Sequence, residues 1–258
     1  KIIRAEASID DLGYGVFELG NVTAGSRYFA DDNKLNLVGD LIRKGDKILD
    51  FKGDYLIGKE SPLDGKLYLN NFNLNILNAF NIPQVTKYSG QANGEIAIKG
   101  DISAPVLDGY IDFDEARFKV EYLNTYYEFS DRVRVEDGWF GIDYKPIYDE
   151  SGHKGFVVAS AFHEDYRNWS YDVSVEANNF FLLNTTRDMN GTYYGTAYGT
   201  GSMQIGGYDG FLEINIDAAT EKGTSLKLPL DGTEDVTMEN FVHFVDKKDE
   251  QQEDREVD

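Results

Sequence analysis

The chain of 258 residues contains no cysteine. That excludes disulfides, thiolate catalysis and Cys-ligated zinc or iron–sulfur sites, and it suits an oxidising periplasm. Histidine is almost as scarce: the 3 present, His153, His163 and His243, do not cluster as metal ligands do. Cations are few, with 25 Lys and Arg against 46 Asp and Glu, a net charge of −21. Such a field repels nucleic acid and anionic membrane surfaces, so no nucleic-acid partner is expected. No run approaches the ~20 apolar residues of a transmembrane helix. There is also no initiator Met and no signal-peptide pattern: the chain opens at Lys1-Ile2-Ile3-Arg4, as a piece of something longer would.

What the chain does have is strand grammar. Its 17 Tyr, 16 Phe and 26 Gly with only 5 Pro fit many strands joined by tight turns. Ile3, Ala5, Ala7 and Ile9 alternate with polar residues, as do Leu35–Leu41, Leu49–Ile57 and Leu63–Leu69. The stretch 90–111, GQANGEIAIKGDISAPVLDGYI, sets two alternating strands around Ala104-Pro105. Alternation of this kind builds a sheet with one apolar and one polar face. Its loose repetition predicts a sheet that grows by addition of strands. Only Phe72, Ile76 and Phe80 shift to helical spacing, which predicts one short helix near 73–80. Farther on, Val133 and Val135, Phe140 and Ile142, then Phe156, Val158 and Phe162 carry the alternation. A loop is expected from Tyr144 to Lys154, around Pro146 and Gly152. Trp169–Ala177 is the clearest strand, and further strands follow to Leu230. The ending DKKDEQQEDREVD reads as a solvated tail. The expected organisation is one β unit over 1–231 and an acidic, disordered tail over 232–258.

No catalytic constellation is evident. Asp112 and Asp114 share a strand face, but a spaced carboxylate pair is nearly guaranteed in so acidic a chain. Gly199-Thr200-Gly201 lacks the third glycine and the helix of a dinucleotide fingerprint. Trp139 and Trp169 are more often core than ligand platforms. The expectation is therefore no enzyme, no metal and no cofactor. Pattern alone leaves a closed sandwich or barrel open beside an open groove.

Four phrases decide between them. They are Glu121-Tyr122-Leu123-Asn124-Thr125-Tyr126-Tyr127-Glu128-Phe129, the stretch Asn178–Thr185, the stretch Tyr193–Gly207, and Ala219–Leu230. In order over roughly 90–230, they resemble the C-terminal region of Bacteroidota TamB-like translocation and assembly module proteins, of the AsmA-like group. The resemblance implies an all-β fold: a long antiparallel sheet curled into an open groove, often called a β-taco. It implies a periplasmic segment of an inner-membrane-anchored, envelope-spanning protein. It further implies passage of phospholipid acyl chains between the membranes, or assistance to outer-membrane protein assembly, with an outer-membrane barrel of the TamA or BamA type as partner. The expected lining is Leu67, Ile96, Ile98, Ile111, Phe113, Val173, Val175, Ile214, Ile216, Leu226 and Leu228, each alternating with polar neighbours. The competing reading is a surface carbohydrate-binding or adhesin-like module, which would carry a flat row of exposed aromatics over a closed core.

Overall fold

Period-two alternation produces what it predicts, a single antiparallel sheet. The computed structural model describes residues 2–15, 17–80, 84–208 and 210–229. The strands are β1 (Ile2–Tyr14), β2 (Phe17–Phe29), β3 (Lys34–Arg43), β4 (Asp46–Leu56), β5 (Leu63–Asn73), β6 (Val85–Asp101) and β7 (Ala104–Val120). They continue as β8 (Thr125–Phe129), β9 (Arg132–Glu136), β10 (Trp139–Asp149), β11 (Lys154–Glu164), β12 (Arg167–Thr185), β13 (Tyr194–Tyr208), β14 (Phe211–Thr220) and β15 (Ser225–Lys227). Neighbours in sequence are neighbours in the sheet, with two exceptions. Short β8 and β9 act as one interrupted strand between β7 and β10, and β15 pairs with β13 beyond the end of β14. All of this lies within one compact unit, Lys1–Leu228. The expected tail over 232–258 lies outside the described residues.

Strand register shows how completely the two faces are sorted. Directly opposed residues share a face, so a row can be followed from strand to strand. One row runs Ala7, Ala24, Gly39, Phe51, Leu67, Ile96, Gly109, Val135, Phe140, Ala161, Tyr171 and Gly207. Tyr171 is its one polar handle. The next row, Ser8, Thr23, Asp40, Asp50, Tyr68, Glu95, Tyr110, Arg134, Gly141, Ser160 and Asp172, lies on the other face. That outer face carries cross-strand ion pairs such as Lys66–Glu95 at 2.5 Å and Arg132–Asp112 at 2.6 Å.

Bulges bend this sheet, and three of them repeat one device. Asp10-Asp11 stand opposite Asn21 alone, Asn70-Asn71 opposite Asn93, and Asn178-Asn179 opposite Thr200. In each case the second residue takes a positive φ, between 45° and 53°. Its freed N–H is accepted by the side chain of the lone residue opposite, at 2.8–2.9 Å. Asn and Asp tolerate this backbone conformation, and the polar acceptor removes the cost of an unpaired N–H. A fourth bulge sets Glu115-Ala116 against Gly90, where a Cβ would lie 2.3 Å from the Glu115 carbonyl oxygen.

Three local expectations need correction. The short helix is a 3₁₀ turn, Leu74–Ala79, with Asn73 as N-cap; Phe72 still belongs to β5 and Phe80 is the C-cap. Most of the loop expected over Tyr144–Lys154 is strand: β10 runs through Pro146, and the chain turns only at Glu150–His153. Pro146 follows a bulge after Ile142, where the neighbouring strand changes from β9 to β8, so its missing N–H is least missed there. In β11 the inward residues are Val157, Ala159 and Ala161, whereas Val158 and Phe162 are exposed. The expected register is shifted by one residue on this strand.

Candidate functional site

The apolar face of β6–β14 curls on itself, and specific contacts fix the curl. At the end of the sheet that carries the 3₁₀ turn, Asn184 N–H donates to the Leu123 carbonyl at 2.9 Å, and Asn124 Nδ2 donates to the Asn184 carbonyl at 2.5 Å. The Tyr122 and Tyr193 hydroxyls also meet there. At the opposite end the Tyr166 hydroxyl donates to the Pro105 carbonyl at 2.5 Å. These contacts join β7–β8 to the β11–β12 hairpin across the strands that lie between them in the sheet.

Burial inside the curl differs from level to level. Toward the 3₁₀ end lie Tyr127, Phe129, Ile147, Val157 and Phe180, all buried. The Tyr127 and Phe180 rings stack with centroids 5.4 Å apart and 6° between planes. Tyr127 also donates to the Phe181 carbonyl at 3.0 Å and accepts from Thr125 Oγ1 at 2.9 Å. Burial pushes the Tyr127 phenol up to about 12, so it remains a neutral donor. Midway along the strands, Val133, Ile142, Ala159, Val173 and Val175 are only half-buried. Toward the far end Trp169 and Tyr171 are exposed.

The half-buried level opens into a trough of about 510 Å³, within the range of ligand-sized pockets. One wall is Leu74 and Leu77 of the 3₁₀ turn with Val85 and Tyr88; another is Met203, Ile205 and Ile216 of β13 and β14. Arg117 is the one charged side chain on the lining among the described residues, and its guanidinium lies 4.6 Å from the Tyr126 ring. Space is kept by small residues, Ala159, Ala177, Gly199, Gly201 and Ala218.

The expected lining residues distribute unevenly. Phe113, Val173, Val175 and Ile216 line the trough. Ile111 packs beside Leu74, Ala92 and Ala116 at its margin. Leu67, Ile96 and Ile98 share the apolar face but lie outside the trough, Ile96 buried and the others half-buried; Ile214, opposite Ile205, is also half-buried. Leu226 and Leu228 are exposed and do not reach the trough, and Leu228 falls beyond β15. Sequence reasoning missed Tyr127, Phe180, Leu74, Leu77 and Met203. Thr125, Tyr127 and Phe129 alternate, so β8 offered a signal; the other four are placed by a bulge, a turn and long-range curling.

A second feature is polar. Asp149, buried at the β10–β11 turn, accepts the N–H groups of Ser151, His153 and Phe181 at 2.7–2.9 Å and pairs with His153 Nδ1 at 2.9 Å. This set staples the turn beneath β12, which is a structural task. Among the described residues no cluster of His, Cys, Asp and Glu is placed to hold a metal, and no helix is long and apolar enough to cross a membrane.

Comparison with known families agrees with the phrases that first suggested a resemblance. Residues 149–258 match the family model of the TamB C-terminal domain. The match begins later than the resemblance traced over 90–230 and runs on through the acidic end. No curated protein and no solved structure matches the chain.

Proposed function

We propose, for a chain whose residues 149–258 match the TamB C-terminal domain, that the trough carries the acyl chains of phospholipid. TamB-like proteins form a translocation and assembly family, not a known enzyme family. In this reading the chain is a periplasmic segment of an envelope-spanning bridge between inner and outer membranes. An outer-membrane barrel of the TamA or BamA type engages it through regions outside this sequence. Lipid movement, assistance to outer-membrane protein assembly, or both follow from the same device.

The observation that carries the reading is the continuous apolar face, followed by the row from Ala7 to Gly207, and the apolar trough lined by other residues of the same face in β6–β14. Each methylene moved from water to an apolar surface gains about 0.8 kcal/mol, so an acyl chain is held without any catalytic group. The polar headgroup remains in solvent. On the outer face Arg132 lies 3.8 Å from the Tyr110 ring and Arg134 lies 4.8 Å from that of Trp139, so these two aromatics do not stand as free ligand platforms.

Native mass spectrometry of protein purified from membranes under gentle conditions tests the proposal. Bound phospholipid is expected, with loss of that signal in Val175→Glu, which sets a carboxylate on the trough wall. Protein that is free of lipid and takes up none from vesicles of phosphatidylethanolamine would refute it.

A further inference from the structure

One wall of the trough stands partly outside the strand ladder, and we infer that the carboxamide of Asn78 holds it in place and so governs how long an acyl chain stays bound. This role rests on the acyl-chain reading above and gives the trough a positioning residue. From β7 to β14 the trough is backed by continuous strand pairing. The wall of Leu74, Leu77, Val85 and Tyr88 is built differently. Its two leucines sit on the 3₁₀ turn, which follows β5 and belongs to no ladder.

The need for a clasp begins in β6. Pairing of β5 with β6 ends at Asn73 and Gln91, and pairing of β6 with β7 shifts between Thr86, Ser89 and Gln91. Within that shift Lys87 takes a positive φ of 56°. Half-buried Tyr88 consequently has no directly opposed residue on either neighbouring strand. A backbone N–H and C=O left in that position are costly unless another group meets them. Asn78 meets both: its Oδ1 accepts the Tyr88 N–H at 2.9 Å, and its Nδ2 donates to the Tyr88 carbonyl at 2.8 Å. A planar carboxamide sets one acceptor beside one donor, as a paired strand residue would. Nδ2 also donates to the Asn75 carbonyl at 3.1 Å, which fixes the side chain against its own turn.

Among the described residues no other hydrogen bond joins Leu74–Ala79 to β6. The turn's further bonds are local, from the Asn75 N–H to the Asn73 cap and from the Phe80 N–H to the Leu77 carbonyl. Its other ties are apolar: Leu74 packs on Ala92 and Ala116, and the Phe80 ring stacks on Tyr14 with centroids 5.7 Å apart. Apolar contact is non-directional, so it favours burial without fixing a position. Asn78 therefore couples the leucines of the turn to Tyr88, and one side chain keeps both parts of the wall together. An acyl chain held by apolar contact leaves when a wall yields, and this wall yields when the carboxamide lets go.

The test uses the full chain loaded with cis-parinaric acid, a fatty acid whose fluorescence reports an apolar site, and chased with vesicles of phosphatidylethanolamine. Asn78→Leu keeps the bulk and removes both bonds to Tyr88, so release should quicken about tenfold. Hydrogen exchange should quicken at the Tyr88 N–H and over Leu74–Phe80, and stay at the wild-type rate in β10–β12. Asn36→Leu removes two bonds from a residue outside the trough and should leave release unchanged. Asn78→Asp keeps the acceptor and loses the donor; its release relative to wild type should slow as acid protonates the new carboxyl. Thermal melts check that each variant is folded, and if Asn78→Leu does not fold, the pH profile of Asn78→Asp decides. Unchanged release in folded Asn78→Leu, equal quickening in Asn36→Leu, exchange quickened through β10–β12, or a flat Asn78→Asp profile each overturns the positioning role while leaving acyl binding intact. Wild-type protein that binds no parinaric acid overturns the acyl reading itself.

Discussion

Strands β1–β5 and strands β6–β14 share one pattern and differ in what it achieves. In both, small and apolar residues alternate with polar ones, and the same row of opposed residues crosses from one half to the other. Yet β1 is exposed along almost its whole length, whereas Tyr127, Phe129, Val135, Ile147, Val157 and Phe180 are buried in the second half. Phe51 shows what the first half does with an apolar face that lacks a covering wall. Its ring lies flat over two glycines, so that a Cβ on Gly53 or Gly65 would meet it at 3.0 or 2.8 Å. Phe180 instead stacks against a ring from three strands away in the sheet. Alternation sorts the faces; curvature and closure decide whether the sorted face becomes a core.

The strongest way to break this comparison is to charge the shared row at two points. Val135→Asp buries a carboxylate where wild type is 1% exposed, and should destabilise by about 5 kcal/mol. Ala7→Asp, on the same row but exposed in β1, should stay within about 0.5 kcal/mol. Denaturant midpoints measure both, and equal losses would mean that the halves are equally packed.

Removing an aromatic ring from each half is the next largest contrast. Phe180→Ala should cost about 4 kcal/mol through transfer and cavity terms. Phe51→Ala, half-buried over its glycines, should cost about 1–2 kcal/mol.

The closure itself should be worth less. Tyr166→Phe deletes the hydrogen bond to the Pro105 carbonyl and should cost about 1 kcal/mol. Hydrogen exchange should quicken at the start of β7 and in the β11–β12 hairpin, and not in β1–β5. Uniform quickening across the sheet would contradict a local seam.

Acid should separate the halves least. Asp50, Asp112, Glu121 and Asp131 are held below the usual carboxylate range chiefly by hydrogen bonds to Lys52, Arg132, Lys119 and Lys145; for Asp54 the Asn36 amide leads. Because their folded values are depressed, what they contribute is complete above the unfolded carboxylate value and is lost as pH falls through the folded ones. Their share of Tm should therefore fall only below about pH 4, and in both halves, since Asp50 and Asp54 belong to the first. A loss already complete at pH 6 would reverse the sign of these shifts.

The architecture was legible in the sequence because its unit is short. Ile96, Ile98, Ile111 and Phe113 declare their face within a few residues, and Val173 and Val175 do the same on β12. The curl was not legible, because Tyr166 and Pro105, or Asn184 and Leu123, lie about 60 residues apart and no local pattern links them. The inward face of β11 was misread for a related reason. Val157, Ala159 and Ala161 face into the curl, while Val158 and the bulky Phe162 face outward. Likewise Asp10-Asp11, Asn70-Asn71 and Asn178-Asn179 interrupt the alternation as polar pairs, but they identify bulges only once the residue opposite is known.

Those three bulges bear on how such a chain can vary in length. Each is completed inside a single pair of adjacent strands, the donor on one and the acceptor directly across on its neighbour. Bending is thus a property of the hairpin, carried wherever that hairpin is placed. A gene that gains or loses one hairpin changes the arc by one increment and leaves every other bend intact. A sheet built this way can change its length without redesigning its interior.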